Sequence, residues 1–437
     1  MNVSVDHLGP CKKLLRVEVP LEAVNTAFGD VSKQFRKEAQ LPGFRPGRAP
    51  EHLIVKAYEP RILEETRKKL FENSYRAAAQ QEKLEVIVTL NVEEQQFGRG
   101  LPYAYNVTCE VVPVFTVPEY KGLAARREIA VPSDADVDRA TNILREQQVK
   151  YNDVPRELRD GDVAVVNYTA TIDGKPLTEI APTARGLTEK QNFWIAVAKD
   201  SFLPGFTEQL HGANIGDRRS VQVEFPAEFV SAELSKKIAV YDVEIVGVKE
   251  KILPEVNEEF ARSLGADTVQ ELLDGIRRDL QNELIHRQKR DVRDQLLKEL
   301  LSRVELDLPE SVVASETRDL VYNIVNENQK RGVPKEAIEQ KKDDIYAGAS
   351  RTARERVKAA FVLNRIARAE KIKAEQRDVI NRVGALAQQN EVSMEKMIKL
   401  IQERGGFSDI EQGVVTDKVM DFLELNAKID DVPSTRS

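Results

Sequence analysis

The chain has 437 residues, which at about 150 residues per domain suggests roughly three domains and excludes a single small module. Charged residues make up 31% and hydrophobic residues 41%; no stretch nears the ~20 uninterrupted apolar residues of a spanning helix, and MNVSVDHLGPCKKLL lacks signal-peptide order, so a membrane protein is excluded and the cytosol expected. A net charge of -7 leaves no global basic field for nucleic acid, while the two cysteines (Cys11, Cys109) and four scattered histidines exclude a disulfide scaffold and a zinc-type cluster.

Residues 1–112 read as a small α+β domain. Leu15, Val17 and Val19 alternate with Arg16 and Glu18, the pattern of a half-buried strand ending at Pro20. Leu21, Val24, Phe28, Val31 and Phe35 then recur at helical spacing up to the break LPGFRPGRAP, after which Pro50 suits the opening of a second helix. Leu84 to Val92 and the set Leu101, Tyr103, Tyr105, Val107, Cys109 and Val111 read as two antiparallel strands. Within this domain, residues 31–70 carry ten Lys and Arg against five Asp and Glu, a local surplus of five positive charges in an acidic chain. That is where a polyanionic partner is expected.

Residues 113–150 begin with the extended PVFTVPEYKG, continue into a helix around Asp136 to Val149, and read as a linker. Strand alternation returns over 151–250, at Val163 and Val165, at Val221, Val223 and Phe225, and at Tyr241, Val243 and Ile245, with turn signals at Asp173-Gly174 and Gly216-Asp217. This is a small sheet-rich domain.

Residues 251–437 are different in kind. Only six of the chain's aromatic residues fall here, and apolar positions from Val269 to Val304 mostly keep a three-to-four-residue spacing behind a capping-box signature at Thr268 and Glu271. One helix over that span would be about 55 Å long, which reads as a helical arm. Segments 310–330, 335–347, 350–372, 375–389 and 393–404 also read as helices, paired in hairpins, with breaks at Gly332-Pro334 and Gly405-Gly406. Met394 and Met397 share a stripe with Ile398 and Ile401 and read as core; Lys236-Lys237, Arg287 to Arg290, Glu255, Glu258 and Glu259 read as solvated charge.

Two constellations carry chemistry. In Gly43-Phe44-Arg45-Pro46-Gly47-Arg48-Ala49-Pro50, glycines allow a tight turn and prolines stiffen it. Phe44 and Arg45 are then either presented at a rigid tip, to fill an apolar slot and pair with carboxylate or phosphate, or folded back onto the core. The second is the apolar set of 160–248, which includes Tyr168, Phe193, Leu203-Pro204-Gly205-Phe206 and Tyr241. On composition alone these are either core residues or the walls of a pocket.

These motifs in this domain order resemble trigger factor, the bacterial ribosome-associated chaperone family, over essentially the whole chain. The resemblance implies a multidomain α+β chain: a ribosome-docking domain (1–112), a connecting segment (113–150), an FKBP-type prolyl isomerase domain with an antiparallel sheet and a short helix (151–250), and an all-α chaperone domain with two arms (251–437). It implies that Phe44 and Arg45, in a loop shaped by Gly43, Gly47 and Pro50 and assisted by Arg48, contact a large-subunit protein and ribosomal RNA beside the tunnel exit. Pro46 stands where some relatives have a basic residue. It also implies that Tyr168, Phe193, Phe202, Leu203, Phe206, Phe229 and Tyr241 line a prolyl pocket with Phe206 at its floor, although Leu177 and Thr178 replace the usual aromatic and acid after the DG turn.

An X-Pro bond rotates over a barrier of ~20 kcal/mol, and an apolar pocket favours the less charge-separated twisted amide without a nucleophile. No cofactor or metal is implied, and GxxxxGK, a Rossmann glycine fingerprint, HExxH and GxSxG are absent from the sequence. The implied partners are the ribosome and nascent or unfolded polypeptides, with no membrane and with a homodimer off the ribosome left open. The implied location is the cytoplasm, partly on ribosomes, and the implied roles are ATP-independent folding, export and cell division. The alternative is a soluble prolyl isomerase whose flanking regions only recruit substrates.

Overall fold

Strand β1 (Asn2–His7) pairs antiparallel with β2 (Lys12–Val19), whose Leu15, Val17 and Val19 turn inward while Arg16 and Glu18 face out. The structure is a computed structural model that describes all residues except 39–40, 43, 45–47, 183, 185, 200, 227–228, 230–232, 404–405 and 434–437. Helix α1 (Leu21–Glu38) and helix α2 (Glu51–Gln81) run to and from the GFRPG loop. They return the chain to β3 (Val86–Gln96) and β4 (Tyr103–Val111), which complete a four-stranded antiparallel sheet in the order β1-β2-β4-β3. The C-terminal half of α2 lays Leu70, Ser74 and Ala78 on the sheet's buried face, where the Ser74 and Tyr105 hydroxyls share a 2.7 Å hydrogen bond. Its N-terminal half forms a separate small core with α1 from Val31, Ala49, Ile54, Val55 and Ile62. Within its N-terminal half α2 kinks at Tyr58 (φ -119°, ψ 17°), because Pro60 lacks the N–H for the ladder and its ring clashes with the carbonyl four residues back.

The segment after β4 does more than connect. Leu123 and Ala125 are buried with Val292, Leu296, Leu300, Val362, Ile366 and Leu423 in the core of the helical region, and Tyr120 donates a 2.7 Å hydrogen bond to Glu370. This segment ends in strand β5 (Ala124–Ile129).

The chain divides into two compact units, 1–129 with 288–437 and 130–287. The second opens with α3 (Asp134–Gln147), fixed at its start by a full capping box between Ser133 and Asp136. Next come β6 (Lys150–Asp153), β7 (Val163–Ile172), β8 (Lys175–Pro176), the single turn α4 (Leu177–Ile180), β9 (Glu189–Ala196), β10 (Arg218–Glu224) and β11 (Ile238–Ile252). They form one antiparallel sheet, β10-β11-β7-β8, with β6 added on β11 and β9 on β7, and its core holds Val166, Tyr168, Leu177, Phe206, Val221 and Tyr241. On β9 the alternation sends Phe193 inward, while Trp194 stays 49% exposed between Tyr151 and Lys249. Helix α5 (Glu258–Ser263) and the first turns of α6 (Val269–Ser302) pack Phe260, Leu272 and Ile276 against Val137 of α3. At the start of α6 the Thr268 hydroxyl accepts from the Glu271 N–H at 3.1 Å, but the Glu271 carboxylate reaches back to the Asp267 N–H instead of closing the box on Thr268.

From Gln288 onward α6 belongs to the first unit, with α7 (Glu310–Lys330), α8 (Lys335–Gln340), α9 (Lys342–Ala369), α10 (Gln376–Gln389), α11 (Met394–Glu403) and α12 (Phe407–Leu425). Helices α7 and α9 join through Val313 and Leu320 against Ala349, Ala353 and Val357; α10 and α11 join through Val383, Ala387, Met397 and Ile401. The break expected near residue 348 falls instead at Lys341, and α9 runs unbroken through Gly348-Ala349-Ser350, since no proline interrupts it and its alanines fit against α7. Strand β12 (Lys428–Pro433) then pairs in parallel with β5. The chain is thus a mixed α/β protein with an N-terminal α+β part, an antiparallel-sheet part and a helical C-terminal part, as the sequence reading expects.

Candidate functional site

The aromatic set of the second unit converges on one cluster. Tyr168 projects from β7 and Tyr241 from the adjacent β11, with ring centroids 5.8 Å apart. Phe193 on β9 meets the Tyr168 ring edge-on at 5.9 Å. Phe202 lies 5.5 Å from both Tyr168 and Phe193 and 5.0 Å from Phe206, which in turn stands edge-on to Tyr241 at 5.3 Å. Such tilted and edge-to-face contacts match the positive rim of one ring to the negative face of the next. Phe206 is fully buried beneath the others, and Leu203 is buried beside it.

The turn that supplies these residues is strained. Phe202 has φ +67°, and the Leu203 N–H donates to the Ser201 carbonyl at 2.9 Å, a γ-turn centred on a bulky residue for which left-handed backbone is costly. Gly205 follows at φ +70°, and the Thr207 hydroxyl ties the turn's exit to the Ala198 carbonyl at 2.7 Å. The strain is offset by the burial of Leu203 and Phe206 and holds the half-buried Phe202 ring between Phe193 and Phe206. Phe229 stands apart from these contacts, since its ring contact is with Phe225 at 4.7 Å. Phe225, fully buried and unassigned by sequence reasoning, was detectable only as the inward end of the β10 alternation.

The hydroxyl ends of the two tyrosines meet one segment of backbone. Tyr168 donates to the Gly186 carbonyl, and Tyr241 donates to the Leu187 carbonyl at 2.9 Å. Burial pushes the Tyr168 phenol up to about 12, and burial with the neighbouring Tyr168 pushes Tyr241 up as well, so both are neutral donors at physiological pH. Leu177, in place of an aromatic after the DG turn, is buried in the domain core, while Thr178 is exposed. Among the described residues no group of His, Cys, Asp and Glu is arranged to hold a metal ion. The cluster is largely closed to solvent: Tyr168, Leu203, Phe206 and Tyr241 are buried, and only Phe193 and Phe202 are partly open.

At the α1–α2 turn, Phe44 is 41% exposed, with its backbone N–H donating to the Leu41 carbonyl at 3.0 Å. Arg48 is exposed and Pro50 stands at the N-cap of α2, where the missing N–H costs nothing. Gly43, Arg45, Pro46 and Gly47 lie outside the described residues. Beside the turn, Arg99 from the β3–β4 connection covers the Phe28 ring at 5.2 Å, a contact the sequence did not announce. The charged runs are surface features: Lys289 pairs with Asp421 at 3.2 Å and Glu258 with Arg262 at 3.1 Å. Met397 is buried as expected, whereas Met394, expected in the core, is exposed at the first position of α11.

Comparison with known proteins gives a consistent assignment. Residues 1–144 match the family model described as bacterial trigger factor protein, residues 268–424 match that of its C-terminus, and residues 154–246 match that of FKBP-type peptidyl-prolyl cis-trans isomerase. The trigger factor of Opitutus terrae is 31% identical over 433 residues, covering 98% of each chain. Those of Akkermansia muciniphila and Geobacter sulfurreducens are 29% and 28% identical, each covering 98% of this chain and 99% of its own. A solved structure concerned with substrate recognition by the trigger factor chaperone aligns with 97% of this chain and 99% of its own at 17% identity and a TM-score of 0.46.

Proposed function

We propose, from the premise that this chain belongs to the trigger factor family, that it is a ribosome-associated, ATP-independent chaperone whose FKBP-type domain catalyses prolyl cis-trans isomerisation. Residues 1–112 dock, 113–150 connect, 151–250 carry the isomerase and 251–437 hold client chains. The observation that carries the enzymatic part is the cluster closed by Phe206: Tyr168, Phe193, Phe202, Leu203 and Tyr241 surround it, and together they form an apolar prolyl site within residues matched to an FKBP-type isomerase. Phe229, through Phe225, borders it.

Docking rests on the exposed Phe44 and Arg48 together with Gly43, Arg45, Gly47 and Pro50, within the 31–70 segment, where basic residues outnumber acidic ones ten to five. The partners are large-subunit protein and ribosomal RNA at the tunnel exit, and then nascent and unfolded polypeptides. The protein works in the cytoplasm, partly on ribosomes. Tethering raises the local concentration of client, so weak and distributed contacts suffice.

Two measurements test this reading. The intact protein pellets with bacterial ribosomes at fixed salt, and the Phe44→Ala, Arg45→Ala double variant stays in the supernatant; equal pelleting of both would remove the docking assignment. In proline-limited refolding, the intact chain accelerates the slow phase and Phe206→Ala does not.

A further inference from the structure

The segment Ala181–Thr188 runs from α4 to β9 along the hydroxyl edge of the aromatic cluster, and its described residues are held there from several directions. Ala181 is buried, and Ala184 and Leu187 pack on the domain core. The Thr188 carbonyl accepts from the Ala170 N–H of β7 at 2.9 Å, which fixes the strap where it enters β9. Two successive carbonyls, Gly186 and Leu187, accept from the two pocket phenols. Gly186 has φ +92°, a backbone state that turns its carbonyl toward Tyr168 at no steric cost only because the residue is glycine.

These four groups satisfy one another. A phenol already donating to a part-buried carbonyl is not free to hold a substrate amide, and a carbonyl that lost its phenol would lose that partner. The rings of Tyr168 and Tyr241 therefore pack within the aromatic cluster while their hydroxyls face the strap. Thr178, the exposed residue after Leu177, contributes no acid to receive either hydroxyl, which leaves the strap backbone as their partner.

We propose that the Tyr168 and Tyr241 hydroxyls are positioning groups for the isomerase: they pin the Gly186–Leu187 strap against the pocket, so that the strap forms a fixed wall for the residue preceding proline. The inference rests on the prolyl-pocket reading above and specifies how that pocket holds its shape. Substrate binding, more than turnover, depends on the pinning, because the wall contacts ground state and twisted state alike.

The test uses the full chain with Tyr168→Phe, Tyr241→Phe and the double variant, which remove only oxygen and keep the rings. Isomerisation of proline peptides with different preceding residues is measured alongside amide exchange at Gly186 and Leu187. With two hydrogen bonds to neutral acceptors lost, the double variant is expected to raise KM roughly three- to tenfold, to flatten the preference for the preceding residue, to leave kcat within about twofold, and to speed exchange in the strap. The single variants are expected to fall between. Unchanged KM, preference and exchange in the double variant would overturn the proposal while loss of activity in Phe206→Ala still upheld the pocket. Wild-type rates in Phe206→Ala would overturn both.

Discussion

The carboxylate of Glu110, on β4 of the N-terminal sheet, accepts from the backbone N–H of Ser311 at 3.1 Å and from its hydroxyl as well. Ser311 is the second residue of α7, and the residue at that helix's N-cap is Pro309, which has no side-chain acceptor to offer. A strand two hundred residues earlier in sequence thus caps the helix that begins the α7–α9 hairpin, and it places a negative charge at the positive end of the helix dipole.

Removal of that cap should loosen the joint. Glu110 is 5% exposed, and Glu110→Ala is expected to cost about 1–2 kcal/mol, with a smaller loss for Glu110→Gln, which keeps an acceptor. Urea unfolding followed by circular dichroism measures it. Equal stability of all three proteins would mean that the contact contributes nothing.

A second buried carboxylate takes its ion pair from one arginine and a further hydrogen bond from the Arg159 backbone N–H. Asp162 is 4% exposed; Arg156 donates to its two oxygens at 2.6 and 3.0 Å and to Glu250 at 3.0 Å. Arg156→Met leaves the buried carboxylate with the Arg159 N–H, at 3.0 Å, in place of its ion pair and is expected to destabilise the sheet domain. Adding Asp162→Asn should recover part of the loss, and calorimetric scans of the two variants compare them directly.

Phe206→Ala should lower the melting temperature of the isomerase domain as well as abolish its activity, since emptying a fully buried ring site costs about 3–5 kcal/mol. Phe206→Leu refills most of the volume. It is expected to regain most of the stability and only part of the activity, which separates the packing role from the prolyl surface.

Alkaline stability provides a further check. The Tyr168 phenol, pushed up to about 12, favours its neutral form in the folded state more than in the unfolded one. Its contribution is therefore fully present below the unfolded value near 10 and is lost as pH rises through about 12. Over that window the wild type should lose on the order of 2 kcal/mol that Tyr168→Phe, with nothing to ionise, retains. Parallel denaturant curves from pH 9 to about 12 report the difference; identical pH dependence in the two proteins would assign the loss to other groups.

Much of this architecture is legible in the residue pattern, for reasons that differ by element. The alternation of β2 and β4 and the spacing of α6, α7, α10 and α11 are local signals of one-sided burial. Strand β1 has only Val3 and Val5, both partly buried, to mark it. The α8–α9 boundary at Lys341 has neither proline nor glycine to announce it. At the candidate site the aromatic residues are visible as letters, but their convergence requires three strands and a γ-turn to bring them together. The phenol-to-carbonyl contacts at Gly186 and Leu187 were invisible, since a backbone acceptor leaves no mark in composition.

The parallel pairing of β5 with β12 also sets an order of events during synthesis. Arg127 and Asp431 face each other across that pair at 2.7 Å although 304 positions separate them. At translation speeds of about 5–20 residues per second, β5 waits roughly 15–60 seconds between its own appearance and that of its partner. Throughout that interval Leu123 and Ala125 lack part of the core that covers them in the finished molecule. A protein assigned to guarding incomplete chains is itself, for most of its own manufacture, an incomplete chain with a strand edge unclaimed.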